Sequence, residues 1–150
     1  MLSLNLPTFA AKVKEKDGKH TIFDPVRRKY VALTHEEWVR QHFVNYLITH
    51  KGYPKELLAN EVPLKLNGTS KRCDSVAYNR FLAPLMIVEY KAPSIEITSA
   101  VFDQIVRYNM VLHVRYLAVS NGISHFCCKI DYENFTYSFL EGIPEYKELE

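Results

Sequence analysis

Arg72-Cys73-Asp74-Ser75-Val76-Ala77-Tyr78, a short loop, and then Pro84-Leu85-Met86-Ile87-Val88-Glu89-Tyr90-Lys91 are the stretch on which the fold turns. Residues 85 to 88 are apolar at every position, which suits a central strand covered on both faces. The strand nevertheless runs on into Glu89 and Lys91, and an unpaired charge at a buried strand end is costly. Something must offset that cost. Glu89 and Lys91 are two apart, so they project from the same face. Antiparallel pairing across the loop sets Asp74 opposite Glu89, about 5 Å apart at Cβ, and Arg72 opposite Lys91. Val76, Tyr78, Leu85 and Ile87 then form an apolar patch with Asp74, Glu89 and Lys91 clustered at its open end. A slip of one residue would send the two acids to opposite faces.

Two carboxylates at that separation repel each other unless a cation lies between them. Carboxylate oxygens, with water and phosphate completing the shell, suit Mg²⁺, or Mn²⁺ in its place. Such a metal polarises a phosphoryl oxygen and acidifies a bound water. Lys91 beside it can position that water, help to deprotonate it and stabilise charge on the transition state. The expected chemistry is phosphodiester hydrolysis.

Outward from this pair, strands are expected over 60–66, 72–78 and 84–91, with Asn67-Gly68 and Asn79-Arg80 as turns. Upstream, Thr34 reads as the N-cap of a helix reaching about His50, with Glu37 at the capping-box spacing and Gly52-Tyr53-Pro54 as the stop. Downstream, a helix is expected from Thr98 or Ser99 to about Met110, then two or three strands, over 116–120, 125–130 and 136–140. The first thirty residues read as extended and turn-rich, an adornment carrying a hairpin at Lys16-Asp17-Gly18-Lys19. With no repeat and no linker, the expectation is one α/β domain over 1–150, comprising an extension over 1–33 and a core over 34–145.

Four blocks now stand in order: Glu36-Glu37-Trp38-Val39-Arg40-Gln41, Lys71-Arg72-Cys73-Asp74, Glu89-Tyr90-Lys91-Ala92-Pro93 and Phe102-Asp103-Gln104-Ile105-Val106-Arg107-Tyr108-Asn109. Asp74, fourteen intervening residues and Glu89-x-Lys91 resemble the Asp…Glu-x-Lys signature of the PD-(D/E)XK nuclease superfamily. Together the blocks resemble the N-terminal nuclease domain of type I restriction enzyme R subunits, over roughly residues 20 to 145. The resemblance implies a restriction-endonuclease-like αβββαβ core, a mixed central sheet flanked by helices. It implies metal ligation by Asp74, Glu89 and the Tyr90 carbonyl, with Lys91 as the catalytic lysine. Gln104 and Tyr108 match the Gln-x-x-x-Tyr element that follows the nuclease motif. Glu37, or Glu36, would complete the metal site from the first helix. Cys73 stands where the superfamily often has proline.

R subunits of this kind continue into an ATP-driven translocase. This sequence has no G-x-x-x-x-G-K-[ST] loop, and Gly18-Lys19-His20-Thr21 lacks the first glycine and the preceding strand. No ATP binding or translocation by this chain alone is therefore expected. DNA is the expected partner, with a homodimer or a partner subunit supplying specificity. The formal net charge of +2 does not by itself mark a nucleic-acid binder, so binding must depend on local Lys and Arg. Lys71 and Arg72 beside the acids, with Tyr108 and Arg107, are the candidates. Cys73, Cys127 and Cys128 show no metal-ligand spacing and no even disulfide framework, which fits reduced thiols in a cytoplasm. No secretory signal or membrane-length apolar run is seen. The competing reading is a non-catalytic module that keeps the nuclease fold to bind DNA or a partner. Fold alone does not separate the two.

Overall fold

The computed structural model describes residues 2–149. Three short strands come first, β1 (Val13–Lys16), β2 (Lys19–Asp24) and β3 (Lys29–Ala32), forming an antiparallel sheet in that order. The hairpin at Asp17-Gly18 places both residues at positive φ, 54° and 75°, which matches the twist of the strands it joins. The third strand was not legible in the sequence. Nor is this sheet an adornment, because Asp24 at the end of β2 is fully buried and accepts from Asn60 of the main sheet at 3.0 Å.

Helix α1 (His35–His50) starts where expected, with the Thr34 hydroxyl accepting the Glu37 N–H at 3.0 Å. Its carboxylate partner in the expected capping box is occupied elsewhere, as described below. The main sheet follows: β4 (Leu58–Leu66), β5 (Thr69–Tyr78), β6 (Pro84–Tyr90), β7 (Tyr116–Ser120), β8 (His125–Asp131) and β9 (Thr136–Phe139), side by side in sequence order. All neighbours are antiparallel except β6 and β7, which run parallel. Helix α2 (Ser99–Asn109) makes the crossover that a parallel pair requires. The result is a mixed α/β architecture with a mixed six-stranded sheet. Val39, Phe43 and Leu47 of α1 cover one face over Met86 and Val88, while Phe102, Ile105 and Val106 of α2 cover the other over Val76 and Ile87. With both faces covered, the continuous apolar run of β6 is explained.

The β5–β6 register is the expected one, with Ser75 opposite Val88, Val76 opposite Ile87 and Ala77 opposite Met86. Two details differ. A register shift between Ala77 and Tyr78 re-aims the start of β6, and Leu85 packs in the α1-side cluster rather than beside Ile87. A further difference, in how β4 and β5 alternate, bears on the site. Along β4, Leu58 and Asn60 face α1 but Val62 and Leu64 pack towards α2. Along β5, Ala77 and Ser75 face α1 but Cys73 packs towards α2. Both strands therefore exchange faces at one rung, the one formed by Glu61 and Asp74. Glu61 adopts a left-handed φ of 55° there, a conformation that costs a non-glycine residue roughly 1 kcal/mol. The simple alternation that put Asp74 on one face with Val76, Ile87, Glu89 and Lys91, and Arg72 opposite Lys91, fails at this rung: Asp74 lines the α1 side, whereas Glu89 and Lys91 line the α2 side. Arg72 instead donates to Glu61 at 3.0 Å.

The segment before β1 is strapped across α1 and the β7–β8 turn. The Trp38 indole donates to the Leu2 carbonyl, and the Asn5 amide donates to the Gly122 carbonyl at 2.8 Å. Gly122 sits at φ 87°, and a Cβ there would lie 2.8 Å from the Leu4 side chain.

Candidate active site

The charged residues meet where β5 and β6 leave the ladder. Asp74, on the rung where the strands change face, accepts the Tyr90 N–H through Oδ2 at 2.9 Å. A strand residue directs its N–H and C=O to the same neighbour, so the Tyr90 carbonyl is turned to the same edge as Asp74. Glu89 precedes it, and Lys91 follows with its Nζ 3.4 Å from Glu89 Oε2. The Lys91 N–H donates to the Ser120 carbonyl at 2.9 Å, which anchors the chain just past β6 to β7. Burial pushes the Asp74 carboxyl up to about 6; the Tyr90 N–H opposes that rise and the neighbouring Glu89 charge adds to it. Asp74 thus holds its proton more readily than an ordinary carboxyl, with the Glu89 charge nearby.

These acids stand on a partition between two cavities. The one on the α1 side, about 290 Å³, is lined by Asp74 and Tyr90 with Glu36, Glu37, Arg40 and Glu61 among others. The one on the α2 side, about 300 Å³, is lined by Glu89, Lys91, Gln104 and Tyr108 with Val101 and Ile105. Lys71 lies over the Tyr108 ring, 3.6 Å from its centroid, a cation–π arrangement at the rim of the α2-side cavity. The helix spacing that singled out Gln104 and Tyr108 does bring them to Glu89 and Lys91.

Other expected site residues lie differently. Arg107 donates to Asp103 at 2.8 Å and lines a separate cavity with Phe135 and Tyr137. Arg72 is turned to Glu61 on the α1 side. Glu37 is buried, and its carboxylate accepts from Arg27 at 2.8 Å to each oxygen, from Arg40 at 2.6 and 3.1 Å, and from Gln41 at 2.8 Å. Its acceptor positions are filled, which explains both the missing capping box and why it holds its proton less readily than an ordinary carboxyl. Burial, the largest influence on it, works the other way and is outweighed by these bonds. A cation could reach Glu37 only by displacing an arginine.

Arg40 is the residue that sequence reasoning missed. It is buried, donates to the Asp74 carbonyl at 2.8 Å and to Glu61 at 2.9 Å, holds Glu37, and lies 5.9 Å from the centre of the Tyr90 ring. The chain of bonds continues into the N-terminal sheet. Glu37 is held by Arg27, Arg27 pairs with Asp24, and Asp24 accepts from Asn60. Asn60 accepts from Ser75 at 2.6 Å, and Ser75 accepts from the Tyr90 hydroxyl at 2.9 Å. The circuit closes, because Tyr90 is the residue whose amide meets Asp74. Glu37 and Arg40, three apart on a helix, were a visible pair. Arg27 carried no signal.

As a metal centre, the arrangement offers two carboxylates and a backbone carbonyl, all hard oxygen donors. Among the described residues no group of three or more His, Cys, Asp or Glu side chains is gathered around a single point. A partial set that leaves positions for water and phosphate is what Mg²⁺ accepts, in contrast to a closed all-protein cage. Cys73, Cys127 and Cys128 are buried and unpaired, and no described helix is long and apolar enough to cross a membrane.

Residues 35–144 match the family model described as the type I restriction enzyme R protein N terminus. Among solved structures, a fragment described as an HsdR subunit of a type I restriction enzyme from Vibrio vulnificus YJ016 superposes with a TM-score of 0.54 and 20% identity. The match covers 78% of this chain and 24% of that one, so this chain spans about a quarter of it. At that identity the likeness bears on the fold. No curated protein matches. By the family match over most of its length, the chain belongs to the family of type I restriction enzyme R protein N termini.

Proposed function

We propose that this chain is a metal-dependent DNA endonuclease of the PD-(D/E)XK kind, a single restriction-endonuclease-like domain over 1–150 working in the cytoplasm. One observation carries the reading: Asp74 accepts the amide of Tyr90, which stands between the paired Glu89 and Lys91 at the end of β6, and the Asp74 carboxyl is raised to about 6 by burial and by the Glu89 charge. Asp74, Glu89 and the Tyr90 carbonyl would hold Mg²⁺ or Mn²⁺, which when bound supplies a Lewis acid for the phosphoryl oxygen and an acidified water. Lys91, oriented by Glu89, positions the attacking water and stabilises charge on the transition state. The water oxygen gives up a proton to solvent and bonds to phosphorus, as the phosphorus–oxygen bond to the deoxyribose breaks and the departing oxygen takes a proton from a second water.

The two cavities give this reading a direction. The α1 side presents Glu36, Glu37, Glu61 and Asp74, and both of its arginines are committed to carboxylates. A phosphate would be repelled there. The α2 side presents Lys91, Gln104 and Tyr108 with Lys71 above, so the DNA backbone approaches over α2. Sequence specificity would come from a homodimer or from a partner subunit, as befits the R subunits that the family describes.

The test is cleavage of supercoiled, linear and single-stranded DNA with Mg²⁺ or Mn²⁺. Wild type is expected to cut, and Lys91→Ala and Glu89→Ala to lose at least 100-fold in rate. Cutting that survives in both variants removes the mechanism. Absence of cutting together with DNA binding would favour the non-catalytic module.

A further inference from the structure

We propose that Arg40 is a positioning residue that sets the Asp74 carboxylate against the Tyr90 amide, and so fixes the geometry of the metal ligands. The metal half of this role rests on the nuclease reading; the positioning half rests on contacts within the chain. Arg40 grips the one rung at which β4 and β5 both change faces. One guanidinium nitrogen takes the Asp74 carbonyl and another takes Glu61, whose left-handed backbone makes the exchange in β4. Without that rung, regular alternation would carry the Asp74 side chain with its neighbours on the α2 face. It would then leave the Tyr90 amide that it now meets at 2.9 Å.

The fork is what makes arginine the right residue. A guanidinium presents donors in a fixed plane, whereas a lysine ammonium is a point charge that cannot hold a backbone carbonyl and two carboxylates in one arrangement. The fork is itself oriented. Glu37 accepts two of its bonds, and Arg27 from the connection between β2 and β3 holds Glu37 from the other side. The N-terminal sheet thereby sets the pose of Asp74 through Arg27, Glu37 and Arg40, with the Glu37 carboxylate held by both arginines. Outer groups of this kind commonly govern metal affinity or activity by 10- to 100-fold.

The test is amide hydrogen exchange by NMR on the metal-free full chain, together with Mn²⁺ binding by calorimetry. In Arg40→Lys the Tyr90 amide is expected to exchange at least tenfold faster. The Lys91 amide, held by the Ser120 carbonyl one residue away, should keep its wild-type rate. Mn²⁺ affinity should fall about tenfold. An unchanged Tyr90 amide overturns the proposal, and so does a joint rise at Tyr90 and Lys91, which would mark general loosening. If Arg40→Lys does not fold, Arg27→Lys is read at the same two amides, with a threefold selective rise supporting the proposal and equal rates overturning it. A wild type that binds no Mn²⁺ defeats the nuclease reading alone, since the amide comparison still decides the role of Arg40.

Discussion

Asp74 is the residue at which packing and chemistry conflict. Its carboxyl is raised from an ordinary 3.8 to about 6 in the fold, by burial first. A raised acid stabilises the folded state fully below its unfolded value, and that contribution is lost as the pH climbs through about 6. At pH 7.5 the ionised group is therefore a liability in the metal-free protein. Asp74→Asn should stabilise the fold there by on the order of 1 kcal/mol, after allowing for its partial exposure, and so raise the melting temperature. The gain should fade by pH 4, as read by paired thermal melts. Mn²⁺ should reverse the order, stabilising wild type and leaving Asp74→Ala unmoved. Of the site residues, Asp74, Glu89, Lys91, Gln104 and Tyr108 were legible because each follows from strand or helix period, or from a motif. Glu61 was not, and Arg40 was visible only as a helix partner of Glu37. The left-handed turn of Glu61 and the reach of Arg40 to Asp74 and Glu61 depend on contacts far away in sequence, which no local pattern encodes.

At the scale of elements, both α-helices and all six strands of the main sheet were readable, because their apolar periods and the turns at Asn67-Gly68 and Asn79 are local. Strand β3 was not, since Lys29-Tyr30-Val31-Ala32 is short, largely exposed, and shaped by β2 rather than by its own composition. The β5–β6 connection gives a clean trial of backbone strain. Leu82 there is exposed at φ 61°, and Leu82→Gly should stabilise by about 0.5 kcal/mol, less than the full left-handed penalty because glycine also loosens the unfolded chain. Gly122→Ala should act the other way. Its φ and the contact with Leu4 both oppose a Cβ, and a loss of about 1–3 kcal/mol should appear as a lower denaturant midpoint.

For the whole molecule, a formal charge of +2 leaves little long-range attraction for DNA, so affinity must come from the α2 side. Lys71→Ala should weaken binding and reduce the slope of log affinity against log salt by about 1. Arg107→Ala, already paired with Asp103 away from the acids, should change neither by much. Fluorescence anisotropy at several salt concentrations checks both, and equal losses would refute the proposed direction of approach.

The lone parallel seam between β6 and β7 has a kinetic meaning. It divides the sheet into two three-stranded meanders, β4–β5–β6 and β7–β8–β9, each closed by short connections. Contacts near in sequence form sooner than distant ones, so each meander can assemble before the seam is zipped. Asp74 and Glu89 belong to the first meander and can meet early. Gln104 and Tyr108 ride on the crossover and join them only when the two halves dock, so ligand assembly and phosphate-site assembly are separate events on the folding path.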